Sequence, residues 1–389
     1  MDVDFDSIID RRGGDSYKWN KYAEGEVLPL WVADMDFAAP AEVIAALQHR
    51  VAQGVFGYGE VLPSHNAVVV EHLAHEYDWA VEPSWLVWLP GLVCGLNVAC
   101  RAVGEPGDAV FTATPIYPPF LSAPLNSGRR LECAALQLSE TDGGQSWRWD
   151  FAAVAGAMSE ATRLLLLCHP HNPVGRAWRD DELEGVAELA ERRDLVVCSD
   201  EIHCGLLLEP GRRHRPYATL SPETGRRSIT LMAASKTFNI PGLGAAFAVI
   251  PDPGLRRSFE AAMQGIVPQV NLLGLVATEA AYRYGGPWHA SLLDYLRGNR
   301  ALVESVVAKL PELAMAPVEA SYLAWIDARR LAQRVGNPQR YFERAGLGLS
   351  AGKAFGGRVY EDFVRLNFGC PRATLEEALK RLERVVRAA

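Results

Sequence analysis

Three short apolar runs in the middle of the chain each give way to polar residues. They cover positions 164–168, 195–198 and 229–234, and each is shorter than a typical helix. Runs that are apolar on both faces are typical of strands buried inside a parallel sheet. Between the first two runs, residues 180–193 place apolar side chains at helical spacing among acids and arginines. A strand, helix and strand in this order require parallel pairing, so the pattern predicts an α/β fold.

A polar side chain follows the carboxyl end of each run: Asn172, Asp200 and Lys236. Parallel strands point their carboxyl ends to one edge of a sheet, which is where open α/β sheets bind ligands. We therefore expect the three side chains to converge. A lysine desolvated at such an edge has a lowered pKa, and its neutral amine can condense with an aldehyde. The alternative is that Lys236 is an ordinary surface residue on a turn.

An amine, a carboxylate and an amide at one sheet edge fit pyridoxal 5'-phosphate. Lys236 would hold it as a Schiff base, Asp200 would keep its pyridine nitrogen protonated, and Asn172 would donate to its phenolate oxygen. Asn172 precedes Asp200 by 28 positions (200 − 172), and Lys236 follows Asp200 by 36 (236 − 200). With this spacing, the segments resemble the fold-type I enzymes of the class I/II aminotransferase superfamily.

A narrower resemblance is to the MalY/PatB-type cystathionine β-lyases, which are carbon–sulfur lyases on the aminotransferase scaffold. Its most telling segment is Asp-Glu-Ile-His at 200–203, because typical aminotransferases have tyrosine where this chain has His203. The matching segments are 34–37 (Asp-Met-Asp-Phe), 54–58 (Gly-Val-Phe-Gly-Tyr), 200–203, 235–239 (Ser-Lys-Thr-Phe-Asn), 322–325 (Tyr-Leu-Ala-Trp) and 364–367 (Val-Arg-Leu-Asn).

This resemblance implies two domains. Residues 46–284 would form a large cofactor-binding domain around a mostly parallel seven-stranded sheet. Residues 1–45 and 285–389 would form a smaller α+β domain built from both termini. Its helices are expected at 288–310 and 375–389, where apolar residues recur at helical spacing.

The resemblance also implies groups for the phosphate. Gly91 forms a turn before a helical pattern that is clear from about Asn97, and such a helix start offers N–H groups to an anion. Leu92 and Val93 would supply these groups, and Ser235 a hydroxyl. Tyr58 resembles the tyrosine that superfamily members contribute to the neighbouring subunit's phosphate, which implies a homodimer with shared sites.

Arg365 lies among apolar residues of the alternating run 363–368. A buried arginine needs a partner, and a bidentate α-carboxylate of an amino-acid substrate supplies one. The alternative is a structural salt bridge with an internal acid.

The family pattern places four further residues. Tyr117 would stack on the pyridine ring, although it is otherwise a core tyrosine in a proline-rich turn. His203 would contact the cofactor. Asn172 and Tyr322 would lie beside the substrate.

Two positions depart from the family pattern. Residue 233 is Ala, where serine or threonine often touches the phosphate, so another group compensates or the affinity for cofactor is lower. Residues 265–274 differ from the Ser-rich stretch expected in cystathionine lyases. This second departure points to drift in substrate or reaction.

The expected reaction is α,β-elimination, in which cystathionine or another S-substituted L-cysteine yields a thiol, pyruvate and ammonia. The fold alone does not choose this reaction, because transamination needs the same substrate orientation. Three alternatives stay open. They are an aminotransferase, a specialised biosynthetic enzyme that acts on a bulky cysteine S-conjugate by β-elimination or decarboxylating oxidative deamination, and a regulator that binds a partner protein.

Composition limits the partners. The formal net charge is −8 without a basic run, which argues against a nucleic-acid surface. No apolar stretch approaches the roughly 20 residues that cross a bilayer. The acidic segment 1–6 is unlike a signal peptide, and seven cysteines without paired spacing suit a reducing compartment. We expect a cytoplasmic enzyme.

A zinc site is the competing interpretation of one cluster. Cys168, His169 and His171 are near one another in sequence, and His203 and Cys204 follow the next apolar run. Their spacing fits no zinc finger, and the pyridoxal interpretation already explains the same segments. We therefore predict no metal.

Overall fold

The computed structural model describes residues 3–141 and 144–389. Its α-helices are α1 Tyr17–Asn20, α2 Ala41–Ala52, α3 Pro63–Tyr77, α4 Leu92–Ala102, α5 Pro118–Asn126, α6 Phe151–Ala157, α7 Asp180–Arg192, α8 Pro222–Arg226, α9 Pro253–Met263, α10 Leu272–Tyr284, α11 Gly286–Val307, α12 Arg329–Val335, α13 Pro338–Arg344 and α14 Arg372–Ala388. Its strands are β1 Leu28–Pro29, β2 Leu86–Leu89, β3 Ala109–Thr114, β4 Arg130–Ala135, β5 Gln137–Thr141, β6 Gly144–Arg148, β7 Thr162–Cys168, β8 Val196–Asp200, β9 Ser228–Met232, β10 Ala246–Val249, β11 Ala314–Met315, β12 Leu323–Asp327, β13 Leu347–Gly348, β14 Ser350–Ala351 and β15 Phe363–Asn367.

A seven-stranded sheet organises the larger part of the chain, in the order β2-β10-β9-β8-β7-β3-β4. The pairs β4–β3, β3–β7, β7–β8 and β8–β9 are parallel, whereas β10 runs antiparallel to both β9 and β2. The predicted α/β architecture with a mostly parallel seven-stranded sheet is therefore confirmed.

Alternate residues of the central strands feed two hydrophobic layers. Leu164 and Leu166 of β7 pack in the layer that includes α4, α5 and α9. Leu165 and Leu167 pack on the other face in the layer that includes α6 and α7. Because both faces of the sheet are covered, β7 is almost entirely buried. This double coverage is why the strand reads as a continuous apolar run.

The second sheet is antiparallel and has four strands, in the order β11-β12-β15-β14. It shares one large core with α11 and α14, and β1 near the amino end of the chain pairs in parallel with β13. Of the predicted domain boundaries, that between 284 and 285 falls between α10 and α11, whereas that between 45 and 46 falls inside α2. The division into two domains stays a prediction.

The observed helices differ from the predicted ones mainly at their ends. The helices expected at 288–310 and 375–389 span Gly286–Val307 and Arg372–Ala388. Helix α4 begins at Leu92, five residues before the clear helical pattern near Asn97. Both Leu92 and Val93 border a cavity, and Val93 is 43% exposed although Leu92 also packs in the core, so the apolar periodicity is interrupted in this first turn.

An extended segment near the amino end crosses from one sheet system to the other. We call residues 31–37 the N-terminal strap. Its backbone is held by side chains from distant elements: Asn239 bonds Met35 N and O and also donates to Phe37 O, while Asn367 donates to Val32 O and Asp34 O. The strap therefore has little freedom where it borders the cavity. No helix of the described residues has the length and apolarity needed to span a bilayer.

Helix α7 offers a test of the core. Leu183 is fully buried in the layer beneath the sheet, whereas Leu125 of α5 is 61% exposed. Leu183→Ala should destabilise the fold by about 2–5 kcal/mol, since it leaves a cavity, and Leu125→Ala should change stability by less than about 0.5 kcal/mol. Urea denaturation followed by circular dichroism measures both. Equal midpoints for the two variants would contradict the proposed packing.

Candidate active site

A cavity of about 440 Å³ lies at the carboxyl edge of the seven-stranded sheet. Loops that follow β2, β3, β7, β8 and β9 line it, together with the N-terminal strap and β15. The convergence expected from the parallel strands is therefore present. The predicted site residues that line the cavity are Leu92, Val93, Tyr117, Asn172, Asp200, His203, Ser235, Lys236 and Arg365.

Lys236 lies in the loop after β9, and its ammonium donates a hydrogen bond to the carbonyl of Ala33. Burial lowers the pKa of Lys236 to about 8, against the opposing attraction of Asp34 and Asp200. About a tenth of the amine is then neutral at pH 7, far more than for an ordinary lysine, and a nucleophilic or basic lysine needs this neutral form. The alternative of an ordinary surface lysine does not fit this environment.

Asp200 is the last residue of β8 and is buried. One carboxylate oxygen accepts a hydrogen bond from the Ile202 backbone at 3.1 Å. Burial raises the pKa of Asp200 to about 7, and the neighbouring Glu201 adds to the rise. Asp200 forms no ion pair within the part of the chain that the structure describes. Such a carboxylate is suited to a cation that enters the cavity.

Glu201 is a buried residue that the sequence analysis left without a role. Its carboxylate is bonded to His214 Nε2 at 2.6 Å, to the Ser199 hydroxyl at 2.8 Å and to the Tyr217 backbone N–H at 2.9 Å. These bonds fix the chain immediately after Asp200. The only signal in the sequence was the charged pair Asp200-Glu201 at the end of an apolar run.

Two of the three histidines of the alternative zinc cluster are bonded to backbone carbonyls instead. His171 Nε2 lies 2.8 Å from Pro115 O, and His169 Nε2 lies 3.2 Å from Arg215 O. Burial lowers the pKa of His169 to about 3 and that of His171 to about 4. Across the described residues, no group of three or more His, Cys, Asp or Glu side chains is arranged to hold a metal ion.

Arg365 projects from β15 toward the cavity and is buried. Its guanidinium donates to Asn172 Oδ1 at 2.9 Å and to Trp31 O at 2.8 Å, and it lies over the Phe355 ring. Its Nε is buried and has no hydrogen-bond partner. Burial lowers the pKa of Arg365 to about 10. No acid of the described residues forms an ion pair with it, so the structural salt bridge considered above is absent from that part of the chain.

The start of helix α4 forms another wall. Gly91 is its N-cap, and Leu92 and Val93 are its first residues. The N–H groups of a first helical turn have no partner within the helix, and they lie at the positive end of its dipole. Ser235, beside Lys236, lines the same cavity. This wall is suited to an anion.

Tyr117 is the N-cap residue of α5 and lines the cavity together with Arg365 and Asp200. His203 is buried, burial lowers its pKa to about 3, and its Nδ1 has no hydrogen-bond partner. A neutral imidazole beside a ligand site can accept or donate one hydrogen bond there.

Two predicted site residues do not line the cavity. Tyr322 lies behind its wall, where its hydroxyl donates to Ala33 O at 3.0 Å and its ring stands edge-on to His203. Tyr58 is fully exposed on the segment between α2 and α3. The roles expected for Tyr322 and Tyr58 stay predictions.

Backbone carbonyls of the strap also face the site, and no sequence pattern predicted them. The carbonyl of Ala33 accepts from both Lys236 and Tyr322, and that of Trp31 accepts from Arg365. Every residue has a backbone carbonyl, so residue identity does not indicate which carbonyl accepts a hydrogen bond. The adjoining segment Asp34–Phe37, which the family resemblance singled out, was the nearest signal.

This sheet order, with an amine, a carboxylate and an amide at its carboxyl edge, defines the fold-type I scaffold of aminotransferase-like enzymes. The chain belongs to the class I and II aminotransferase family, whose model matches residues 26–382. The predicted superfamily is thereby confirmed.

Individual relatives narrow the resemblance. Cystathionine beta-lyase PatB of Bacillus subtilis is 36% identical over 98% of this chain and 99% of its own length. The crystal structure of OvoB is 50% identical, covers 99% of this chain and 100% of that chain, and has a TM-score of 0.95. Cystalysin of Treponema denticola, whose crystal structure contains pyridoxal 5'-phosphate, is 30% identical with full coverage of both chains and a TM-score of 0.92. The predicted likeness to carbon–sulfur lyases of the PatB type is confirmed.

Two arginines of equal burial provide a test of the cavity's electrostatics. Arg365 and Arg176 are both 4% exposed, but Arg176 is paired with Glu182 at 2.6 Å and Glu319 at 3.1 Å. Arg176→Met should cost about 3–5 kcal/mol, because it leaves two acids without their buried partner. Arg365→Met should cost less than about 1 kcal/mol in the cofactor-free protein, because it removes an uncompensated charge. Urea denaturation of both variants checks the order, and a larger loss for Arg365→Met would contradict it.

Proposed function

We propose that this protein is a pyridoxal phosphate-dependent carbon–sulfur β-lyase. It cleaves cystathionine or another S-substituted L-cysteine to a thiol, pyruvate and ammonia. The observation that carries the proposal is that Lys236, Asp200 and Arg365 meet in one cavity. Asp200 and Arg365 are buried, Lys236 is half-buried, and none of them is in an ion pair within the described residues. The similarity to proteins named for cystathionine β-lyase activity supports the reaction.

The cavity fits this cofactor group by group. The uncompensated Asp200 carboxylate suits a protonated pyridine nitrogen, and the open N–H groups at Leu92 and Val93 suit a phosphate, with Ser235 beside them. Asn172 has its oxygen engaged by Arg365, so its amide nitrogen is the group left to donate to a phenolate. Tyr117 and His203 border the space for the ring.

When bound, pyridoxal phosphate supplies an electron sink that stabilises negative charge at Cα of an amino acid. The chain supplies the proton transfer and the orientation. Lys236, with its lowered pKa, removes the Cα proton. Arg365 binds the α-carboxylate, which replaces the missing counter-charge and fixes Cα relative to Lys236. Asn172 accepts a hydrogen bond from Arg365 and so helps to position the guanidinium. Tyr322 donates a hydrogen bond to the carbonyl of Ala33 and so helps to position the strap.

The site is completed by a second copy of the chain in this proposal. Tyr58 is fully exposed, and Val55 and Phe56 on the same segment are also exposed. Contiguous exposed apolar residues are typical of protein interfaces. We infer a homodimer in which Tyr58 reaches the neighbouring subunit's phosphate group.

Two further aspects belong to the proposal. The division into a 46–284 domain and a domain of 1–45 with 285–389 is supported by the two separate sheets. A cytoplasmic location is supported by the seven cysteines, none of which forms a disulfide.

A second candidate reaction is transamination, because the matching family model is that of the aminotransferases. The side chains that line the cavity do not separate the two reactions, since both begin with removal of the same proton. The two reactions differ in the form in which they leave the cofactor. Elimination returns it unchanged, whereas transamination needs a keto acid to restore it.

The assignment of Lys236 is tested by covalent trapping. Borohydride reduction of the holoenzyme should fix the cofactor to Lys236, as peptide mass spectrometry will show. Lys236→Ala should lose both the adduct and turnover, whereas Lys353→Ala, which removes an exposed lysine, should keep both. Wild-type turnover in Lys236→Ala would overturn the assignment.

The reaction is tested by supplying cystathionine and a panel of S-substituted cysteines without a keto acid. We expect many turnovers per site, with thiol, pyruvate and ammonia in equal amounts. A reaction that stops after one turnover until a keto acid is added would establish transamination. Release of carbon dioxide with the carbon–sulfur bond intact would instead establish the decarboxylating reaction.

A further inference from the structure

Arg365 is held in the cavity by an aromatic ring as well as by hydrogen bonds. Its guanidinium carbon lies over the ring of Phe355, 4.8 Å from the ring centroid. Phe355 is 2% exposed, so this contact is shielded from water. The face of an aromatic ring attracts a cation, and the attraction is stronger where both groups are desolvated.

The hydrogen-bond donors of Arg365 are only partly engaged. Nη1 donates to Asn172 Oδ1 at 2.9 Å. Nη2 donates to Trp31 O at 2.8 Å and to Ser350 Oγ at 3.4 Å, whereas Nε has no partner. Among the described residues, no acid is paired with this guanidinium. The Phe355 ring therefore stabilises the positive charge without adding a negative charge that a substrate carboxylate would have to displace.

The backbone of Phe355 fixes the ring relative to another wall of the cavity. Its carbonyl accepts a hydrogen bond from the Ile116 N–H at 2.7 Å, and Ile116 directly precedes Tyr117, which lines the cavity. The ring also stands edge-on to Trp325, with centroids 5.2 Å apart. Phe355 thus joins the four-stranded sheet, which carries Arg365 in β15, to the loop after β3 of the seven-stranded sheet.

We propose that Phe355 is a positioning residue for the α-carboxylate of the substrate and that it acts through Arg365. Its ring restricts the guanidinium to one position beside the cavity. The preference of the site for amino acids over amines that lack a carboxylate then depends on Phe355. This inference rests on the role of Arg365 in the proposed function.

Phe363 provides a matched control on the same strand as Arg365. It is 4% exposed, it stacks on Trp325 with centroids 5.3 Å apart, and its ring lies under another arginine, Arg329, at 5.2 Å. Arg329 is not among the residues that line the cavity. Phe355 and Phe363 therefore share residue type, burial and an aromatic neighbour, and they differ in the arginine that each contacts.

The test measures binding of glycine and of methylamine, which differ only in the carboxylate, to the cofactor-loaded enzyme. Titration of the cofactor absorbance gives both dissociation constants. Phe355→Leu should raise the dissociation constant for glycine by about tenfold, since the attraction between the ring and Arg365 is lost. The dissociation constant for methylamine should remain unchanged, because methylamine has no group for Arg365 to bind.

The control variant distinguishes positioning from a general loss of packing. Phe363→Leu should lower thermal stability, as Phe355→Leu does, because each removes a buried ring. It should leave both dissociation constants unchanged. An unchanged dissociation constant for glycine in Phe355→Leu would overturn the proposal, and so would an equal rise for methylamine or an equal rise in Phe363→Leu.

If Phe355→Leu does not fold, fluorinated phenylalanines at position 355 decide. Fluorine withdraws electron density from the ring face and so weakens its attraction for a cation, while the shape of the ring changes little. The dissociation constant for glycine should rise with the number of fluorine atoms. Equal constants across the series would overturn the proposal.

The outcome for the proposed function is separate. Arg365→Met should abolish the preference for glycine over methylamine. If the preference survives, the proposed role of Arg365 fails. If it is lost while Phe355→Leu binds glycine as the wild type does, only the role of Phe355 fails.

Discussion

The structure depends on the desolvation of three ionisable groups in one cavity with few internal counter-charges. Lys236, Asp200 and Arg365 are each desolvated, and burial is the largest influence on the pKa of each. Such an arrangement opposes folding, because buried charges cost free energy unless they are paired. The large hydrophobic layers on both faces of the seven-stranded sheet offset this cost. The missing partners are those that an anionic, aromatic cofactor and an amino-acid carboxylate supply.

The N-terminal strap makes this cavity possible. Its carbonyls at Trp31 and Ala33 accept hydrogen bonds from the arginine and the lysine. A carbonyl stabilises a cation by its dipole without adding a full negative charge, so both side chains keep lowered pKa values. Acids in direct contact would have raised those values and left less of the lysine as neutral amine. Asp34, an acid of the strap, is instead paired with Arg11 at 2.8 Å.

Neither the scaffold nor the cavity explains why one reaction would prevail over another. In the proposed function, the proton taken by Lys236 is the first to move in both elimination and transamination, and Arg365 orients the substrate in both. The chain is similar both to a relative named cystathionine β-lyase and to the family named for aminotransferases. The leaving group on Cβ is the remaining physical difference.

The sequence by itself determined the sheet and the positions of its reactive groups. Leucine runs such as that of β7 predict a buried parallel strand, and parallel strands must bring Asn172, Asp200 and Lys236 to one edge. The start of α4 at Leu92, earlier than its sequence pattern indicates, was decided only by tertiary structure. The same holds for the position of Tyr322 behind the cavity wall. Tertiary structure also decided the contacts of the Ala33 carbonyl, the network around Glu201 and the absence, among the described residues, of an acid paired with Arg365. The reason is physical: spacing along the chain encodes which strand end a side chain follows, whereas backbone acceptors, counter-charges and desolvation depend on segments far apart in sequence.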